Sequence, residues 1–242
     1  MLLKSETLTR QAFDAVVKYI VDRGLTAGDQ IPSTAALMEE FGISRSVVRE
    51  ALTALQVCGF VDIRNGRNPV VGELDERLLL MFMTRAASMQ SRPMSALMEV
   101  RIPLEIQAAR LAAERSDGRA LEQIDATNAR MAAAQDDTDL YPRLDTRFHT
   151  DIAMATNNHI LTFMVSSIRA ELMTVMVAVR EFREQNDLVG QEQTQHDAIA
   201  RAIREHDPDK AARAMQEHLA SSLRLVHQVE ESMAAARASA SA

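Results

Sequence analysis

Six histidines are spread through this chain of 242 residues, and three of them fall where helical periodicity turns them inward. Asp145 and His149 stand four apart in LDTRFHTDI, so they share one helix face. His196 lies on the apolar stripe of Ile199, Ala200 and Ile203, and His218 on that of Ala211, Ala214, Met215 and Leu225. One carboxylate and three imidazoles on the inner faces of three helices suit a borderline divalent ion. Zn2+ fits best, with Ni2+ and Mn2+ as alternatives. A single histidine on an apolar face is usually a satisfied core residue. Four ligand-type side chains on interior faces are less easily explained that way. His159 at a helix start, His206 in a polar turn and His227 two turns beyond His218 are left outside the set.

A second chemistry lies much earlier. Arg45 and Arg49, also four apart, project from one helix face, with Ser46 beside them. Leu37, Met38 and Phe41 form an apolar stripe before them, and Val48, Leu52 and Leu55 form one behind them. Gly42-Ile43-Ser44 makes the turn: Gly42 can end one helix in the left-handed conformation and Ser44 can cap the next. That is a helix-turn-helix, whose second helix enters the DNA major groove with its N-terminal residues foremost. Phe60-Val61-Asp62-Ile63 and Pro69-Val70-Val71 then read as two short strands around a turn with basic flanks, Arg64-Asn65-Gly66-Arg67. The stretch from Pro32 to Val71 is therefore read as a winged helix, with Arg67 and its neighbours free to meet phosphate or the minor groove.

The elements that must position these residues follow from composition and pattern. Residues 8–24 repeat Ala12, Phe13, Val16, Val17, Ile20 and Val21 at helical spacing and belong under the helix-turn-helix. Beyond Gly72 strand signals stop. Helices are expected near 75–90, 94–115, 118–134, 138–156, 159–184, 188–205 and 208–235, joined by short loops into an antiparallel bundle. Pro103 inside one of them should kink it or leave a carbonyl near Glu99 unsatisfied. The fold class is mainly α, with a small β-hairpin wing. Residues 1–72 form the DNA-binding domain and 73–242 the helical domain, whose Ala/Ser-rich end, 233–242, is expected to be disordered.

The net charge of −7 argues against DNA until it is divided. Residues 1–72 hold eight Lys+Arg and eight Asp+Glu, so the acidic excess belongs to the rest of the chain. DNA binding needs a local basic face, not a basic protein. A lone cysteine, Cys58, excludes a disulfide framework and reads as a small core filler. No signal peptide is visible, and the apolar run from Leu172 to Val179 is too short to cross a membrane. The expected location is cytoplasmic, with no membrane partner.

The string SRSVVREALTAL, preceded by GDQIPS and followed by GFVDIRNGR, resembles the DNA-binding domain of GntR-family bacterial transcription regulators over residues 8–72. The resemblance implies that Arg45, Ser46 and Arg49 contact the operator and that Gly66 marks the wing tip. Two departures stand out: Thr34-Ala35 where the family often carries a charged residue, and Asn68 where its wing often has a second glycine. VRIPLEIQAARLAAE, DTRFHTDIAMATNNHIL, QHDAIARAI and MQEHL resemble the all-helical FCD domain of the FadR-type branch, over residues 75–232. By that resemblance Asp145, His149, His196 and His218 bind a metal at the floor of an effector cavity. Arg101 would face the cavity and pair with an effector carboxylate, unless it is spent on Glu105 or Glu99. Asn158 matches an effector-side asparagine, unless it caps a helix.

Together these readings give a homodimeric transcription regulator, read as a repressor. It would sit on double-stranded, palindromic operator DNA and be released by a small organic acid. A regulator that senses the metal itself is the alternative. A metal-dependent enzyme is disfavoured, because no HExxH motif, general-base Glu or phosphate loop accompanies the histidines.

Overall fold

A computed structural model describes residues 7–64, 67–73, 77–186 and 188–240. The chain divides into two compact units after Leu78. In the first, helix α1 (Leu8–Asp22) is capped by Thr7, α2 (Thr34–Phe41) by Ser33 and α3 (Arg45–Val57) by Ser44. Each cap oxygen accepts a backbone N–H of the first turn, a contact typically worth about 1 kcal/mol. Gly42 ends α2 at φ 64°, a left-handed conformation that a β-carbon disfavours.

Leu37, Val48, Leu52 and Leu55 pack with Val16 and Ile20 of α1 into one core. Strands β1 (Val61–Asp62) and β2 (Val70–Val71) are antiparallel, with Val61 opposite Val71 and Asp62 opposite Val70. Gln30 adds an isolated bridge to Val70, a pairing the periodicity did not announce. Gly72 donates its N–H to Phe60 O at 2.9 Å, and a β-carbon on Gly72 would overlap the Gly59 carbonyl. Cys58 is only half-buried, at the C-cap of α3, so it is not the core filler expected. Gly66, the expected wing tip, lies outside the described residues.

From Arg77 onward the described elements are helices: α4 (Arg77–Ala87), α5 (Pro93–Arg115), α6 (Gly118–Ala133), α7 (Leu140–Ala155), α8 (His159–Gln185), α9 (Val189–Arg204) and α10 (Pro208–Ala240). α10 packs along α5 and α9, and α7 lies against α5, α6 and α8. Ala108, Ala109, Ala112 and Ala113 of α5 are fully covered, and such small side chains let neighbouring helices approach. Pro103 is exposed and α5 runs on through it. The expected disorder from residue 233 is replaced by helix up to Ala240, consistent with the high helix propensity of alanine.

Two helices far apart in the sequence are tied together. Glu230 of α10 accepts the Met94 N–H at 2.8 Å and a bond from the Ser95 hydroxyl, so it caps the start of α5. Among the described residues no single helix is long and apolar enough to cross a membrane.

Candidate metal centre

α7 supplies Asp145 and His149, α9 supplies His196 and α10 supplies His218. The three histidines are at most 1% exposed and Asp145 is 8% exposed. One ligand-type atom from each lies within 4.8 Å of those of the others. Ligands facing each other across a divalent ion with bonds near 2.1 Å stand roughly 4 Å apart, so the group can hold such an ion. His149 Nε2 and His218 Nδ1 are buried without a hydrogen-bond partner, and His196 Nε2 faces Asp145 Oδ1 at 3.1 Å. A buried unpaired polar atom costs about 1–3 kcal/mol, and a cation held between these nitrogens and the Asp145 carboxylate would offset that cost.

The protonation states suit ligation. Burial pulls the His196 imidazole down to about 4, against the favourable pull of Asp145. Burial, then the neighbouring His196 and His149, push His218 well below the ordinary histidine range. Both rings are therefore neutral at physiological pH, the form that binds metal. Burial alone would raise the Asp145 carboxyl, but Arg169 beside it, with hydrogen bonding from His149 and His196, holds it well below the usual carboxylate range.

A further set of side chains aims the ligands. His149 Nδ1 stands 2.5 Å from Glu105 Oε2, which leaves Nε2 for the centre. His196 Nδ1 lies 3.3 Å from the Tyr141 hydroxyl, which donates to Gln193 Oε1. Phe148 meets the rings of His149 and His196 edge-on at 5.4 and 5.2 Å. Arg169 donates to both Glu105 oxygens at 2.8 and 2.9 Å and to Asp145 Oδ2 at 2.8 Å.

Arg101 is 1% exposed. It donates to Glu105 Oε1 at 2.5 Å, and it lines a small cavity beside Asp145 and His218. Asn158 is different. Its Oδ1 accepts from the N–H groups of Ile160 and Leu161 at the exposed start of α8, and it does not line that cavity. Its side-chain oxygen is committed to capping, so the effector contact expected of it is withdrawn. His159 and His206 are exposed and His227 is half-buried; none joins the cluster.

Glu105 and Arg169 went unrecognised as part of the site. The available signal was position: Arg169 shares the inward stripe of Val165, Ile168 and Leu172 on α8, and a charge there needs a buried partner.

In the other unit Arg45, Ser46 and Arg49 are exposed on the first turns of α3. Among the described residues no ion pair engages Arg45, Arg49 or Arg67, so their cations are available to an external anion. Arg64 is partly spent on Asp62 at 2.9 Å.

The family "Bacterial regulatory proteins, gntR family" matches residues 8–71, and the FCD domain family matches residues 96–221. The HTH-type transcriptional regulator LutR of Bacillus subtilis (strain 168) is 31% identical over 81% of this chain and 90% of its own length. The chain belongs to the gntR family of bacterial regulatory proteins. As a GntR protein it is a DNA-binding transcription regulator, and the matched families and relatives are regulators rather than enzymes. The Glc operon transcriptional activator of Escherichia coli (strain K12) is 29% identical over 90% of this chain and 88% of its own. The transcriptional repressor NanR of Edwardsiella tarda (strain FL6-60) is 32% identical over 90% and 84%. Among solved structures, Streptococcus agalactiae GntR superposes with a TM-score of 0.70 at 23% identity, covering 89% of this chain and 99% of that one, a similarity of fold.

Proposed function

We propose that this GntR regulator acts as a cytoplasmic homodimeric repressor of a catabolic or transport operon, released from a palindromic operator by a small organic acid bound at a zinc centre in the helical domain. The observation that carries the proposal is the convergence of three buried imidazoles, two of them with an unpaired nitrogen facing the cluster, and one ionised carboxylate, in a chain whose other unit presents Arg45 and Arg49 unpaired on α3. Asp145, His149, His196 and His218 are the ligands; Ni2+ or Mn2+ is compatible with the same donors. A bound ion of this kind offers open coordination positions to a carboxylate. Arg101 stands at the cavity wall to pair with that carboxylate.

Each recognition helix takes one half-site, with Arg45, Ser46, Arg49 and the wing's Arg67 as contacts, so a two-fold dimer matches a palindrome. The cavity's free volume is about 10 Å3, roughly the space of one water, whereas sites for organic ligands are several hundred Å3. An acid is admitted only if side chains on α5, α7, α8, α9 or α10 move, and that movement is the means by which binding reaches the DNA readers. To change operator occupancy the acid must prefer one state by a few kcal/mol. Operator binding measured against a panel of carboxylates, with and without chelator, tests this. Acids that bind the protein yet leave operator affinity unchanged would sink it. The competing reading, in which the ion itself is the signal, is favoured only if DNA binding tracks free metal with no acid present.

A further inference from the structure

We propose that the effector carries two anionic groups, and that the second takes the place of the Glu192 carboxylate on Arg183 and Arg180. This rests on the preceding reading, that an acid binds at the metal centre. The cavity has two chemically different ends. One is the ligand cluster, represented by Asp145 and His218. The other is formed by Arg180, Arg183 and Glu192, with the Tyr141 ring between: Arg180 Cζ lies 4.3 Å from its centroid, and its hydroxyl reaches His196.

That second end places two buried arginines around a single buried carboxylate. Arg180 and Arg183 are 3% and 5% exposed, and they share one buried carboxylate, Glu192. Glu192 is ion-paired to Arg183 Nη1, while Arg183 Nη2 donates to Ser222 Oγ at 3.1 Å. Arg180 spends Nε on Glu184 at 2.6 Å and Nη2 on the Gln135 carbonyl. Its Nη1 is buried without a hydrogen-bond partner, and Glu192 Oε2 is 3.8 Å away. Glu192 thus holds the position of an anion that satisfies one arginine and falls short of the other. A free carboxylate, not tethered to α9, can bridge both.

There is also room for Glu192 to leave. A second cavity of about 150 Å3 lies on the far side of the Arg183–Glu192 pair, which lines both. Its wall includes Arg224, exposed and without an ion-pair partner among the described residues, and Gln195, whose Oε1 is buried and unpaired. Glu192 turned towards Arg224 opens the partition and exposes Arg183 to the incoming acid. Glu192 and His196 stand four apart on α9, so a dianion spanning the cavity engages the two ends of one helical turn.

The experiment is calorimetric titration of the full chain loaded with zinc, using matched acids: succinate against butyrate, malate against 3-hydroxybutyrate, phthalate against benzoate. The expected result is at least one pair in which the dianion binds about tenfold tighter or more, as a charge-assisted bidentate contact implies. Arg183→Met and Arg180→Met should bring that ratio towards unity while zinc content stays at the wild-type value, and Glu192→Gln should tighten the dianion. Should a variant fail to fold, as zinc content and thermal midpoint report, the wild-type ratios decide. Equal affinities within every pair, or a preference that survives in both arginine variants, would overturn this proposal and leave the metal-site effector standing. Absence of binding by every acid would overturn both.

Discussion

At the scale of single residues, the strongest expectation concerns nitrogen atoms with nothing to bind. His196→Ala removes one of the converging nitrogens, and zinc content per chain should fall well below one, read by atomic absorption on dialysed protein. Wild-type stoichiometry in that variant would remove His196 from the ligand set. His227→Ala is the control, and its zinc content should not change. Glu105→Gln tests the supporting shell. It leaves Arg101 and Arg169 buried beside a neutral amide, and breaking a buried ionic network by one partner costs about 3–5 kcal/mol. Urea denaturation should show a loss of that order. A loss below 1 kcal/mol would mean the network is far better solvated than its burial implies.

The His and Asp cluster was legible in the sequence because histidine interrupts an otherwise apolar stripe. Arg169 was not, because a long cation on an inner face has meaning only once its partners are known. Those partners, Glu105 and Asp145, come from helices 64 and 24 residues away. Tyr141 was equally silent: a buried tyrosine looks like core until its hydroxyl is seen to meet His196.

At the scale of elements, α3 carries the DNA-reading expectation. Arg49→Ala should abolish specific operator binding while the circular dichroism and melting temperature stay those of the wild type. Normal operator affinity would refute the assignment of α3 as the recognition helix. The hairpin offers a sharper structural test. Gly72→Ala places a methyl against the Gly59 carbonyl, and overpacking of that kind costs about 1–3 kcal/mol, visible as a lower melting temperature. The start of α3 was readable from Ser44, whose side chain does cap. The Gln30 bridge was not, because a single residue leaves no alternation to detect. The end of α10 was misjudged for a related reason: an Ala/Ser-rich run signals low complexity and high helix propensity at once.

At the scale of the whole molecule, metal and acid should both appear as stability. A ligand at 100 times its dissociation constant adds about 2.7 kcal/mol, so zinc followed by an effector should raise the melting temperature in two steps, and chelator should reverse the first. An acid that stabilises the chelated protein as much as the zinc-loaded one would place its site elsewhere. Division into a near-neutral DNA-binding part and an acidic remainder was evident from charge counting alone. The closed state of the cavity was not, since free volume depends on side-chain packing across five helices that no local pattern encodes.

The Glu230 contact also bears on the order in which the chain is made. The carboxylate that caps the start of α5 lies 136 residues downstream of Met94. During synthesis the first turn of α5 must wait, uncapped, until nearly the whole polypeptide has left the ribosome. The helix that carries Arg101 and Glu105 therefore has its start secured last, and a chain cut short before Glu230 lacks the residue that fastens it.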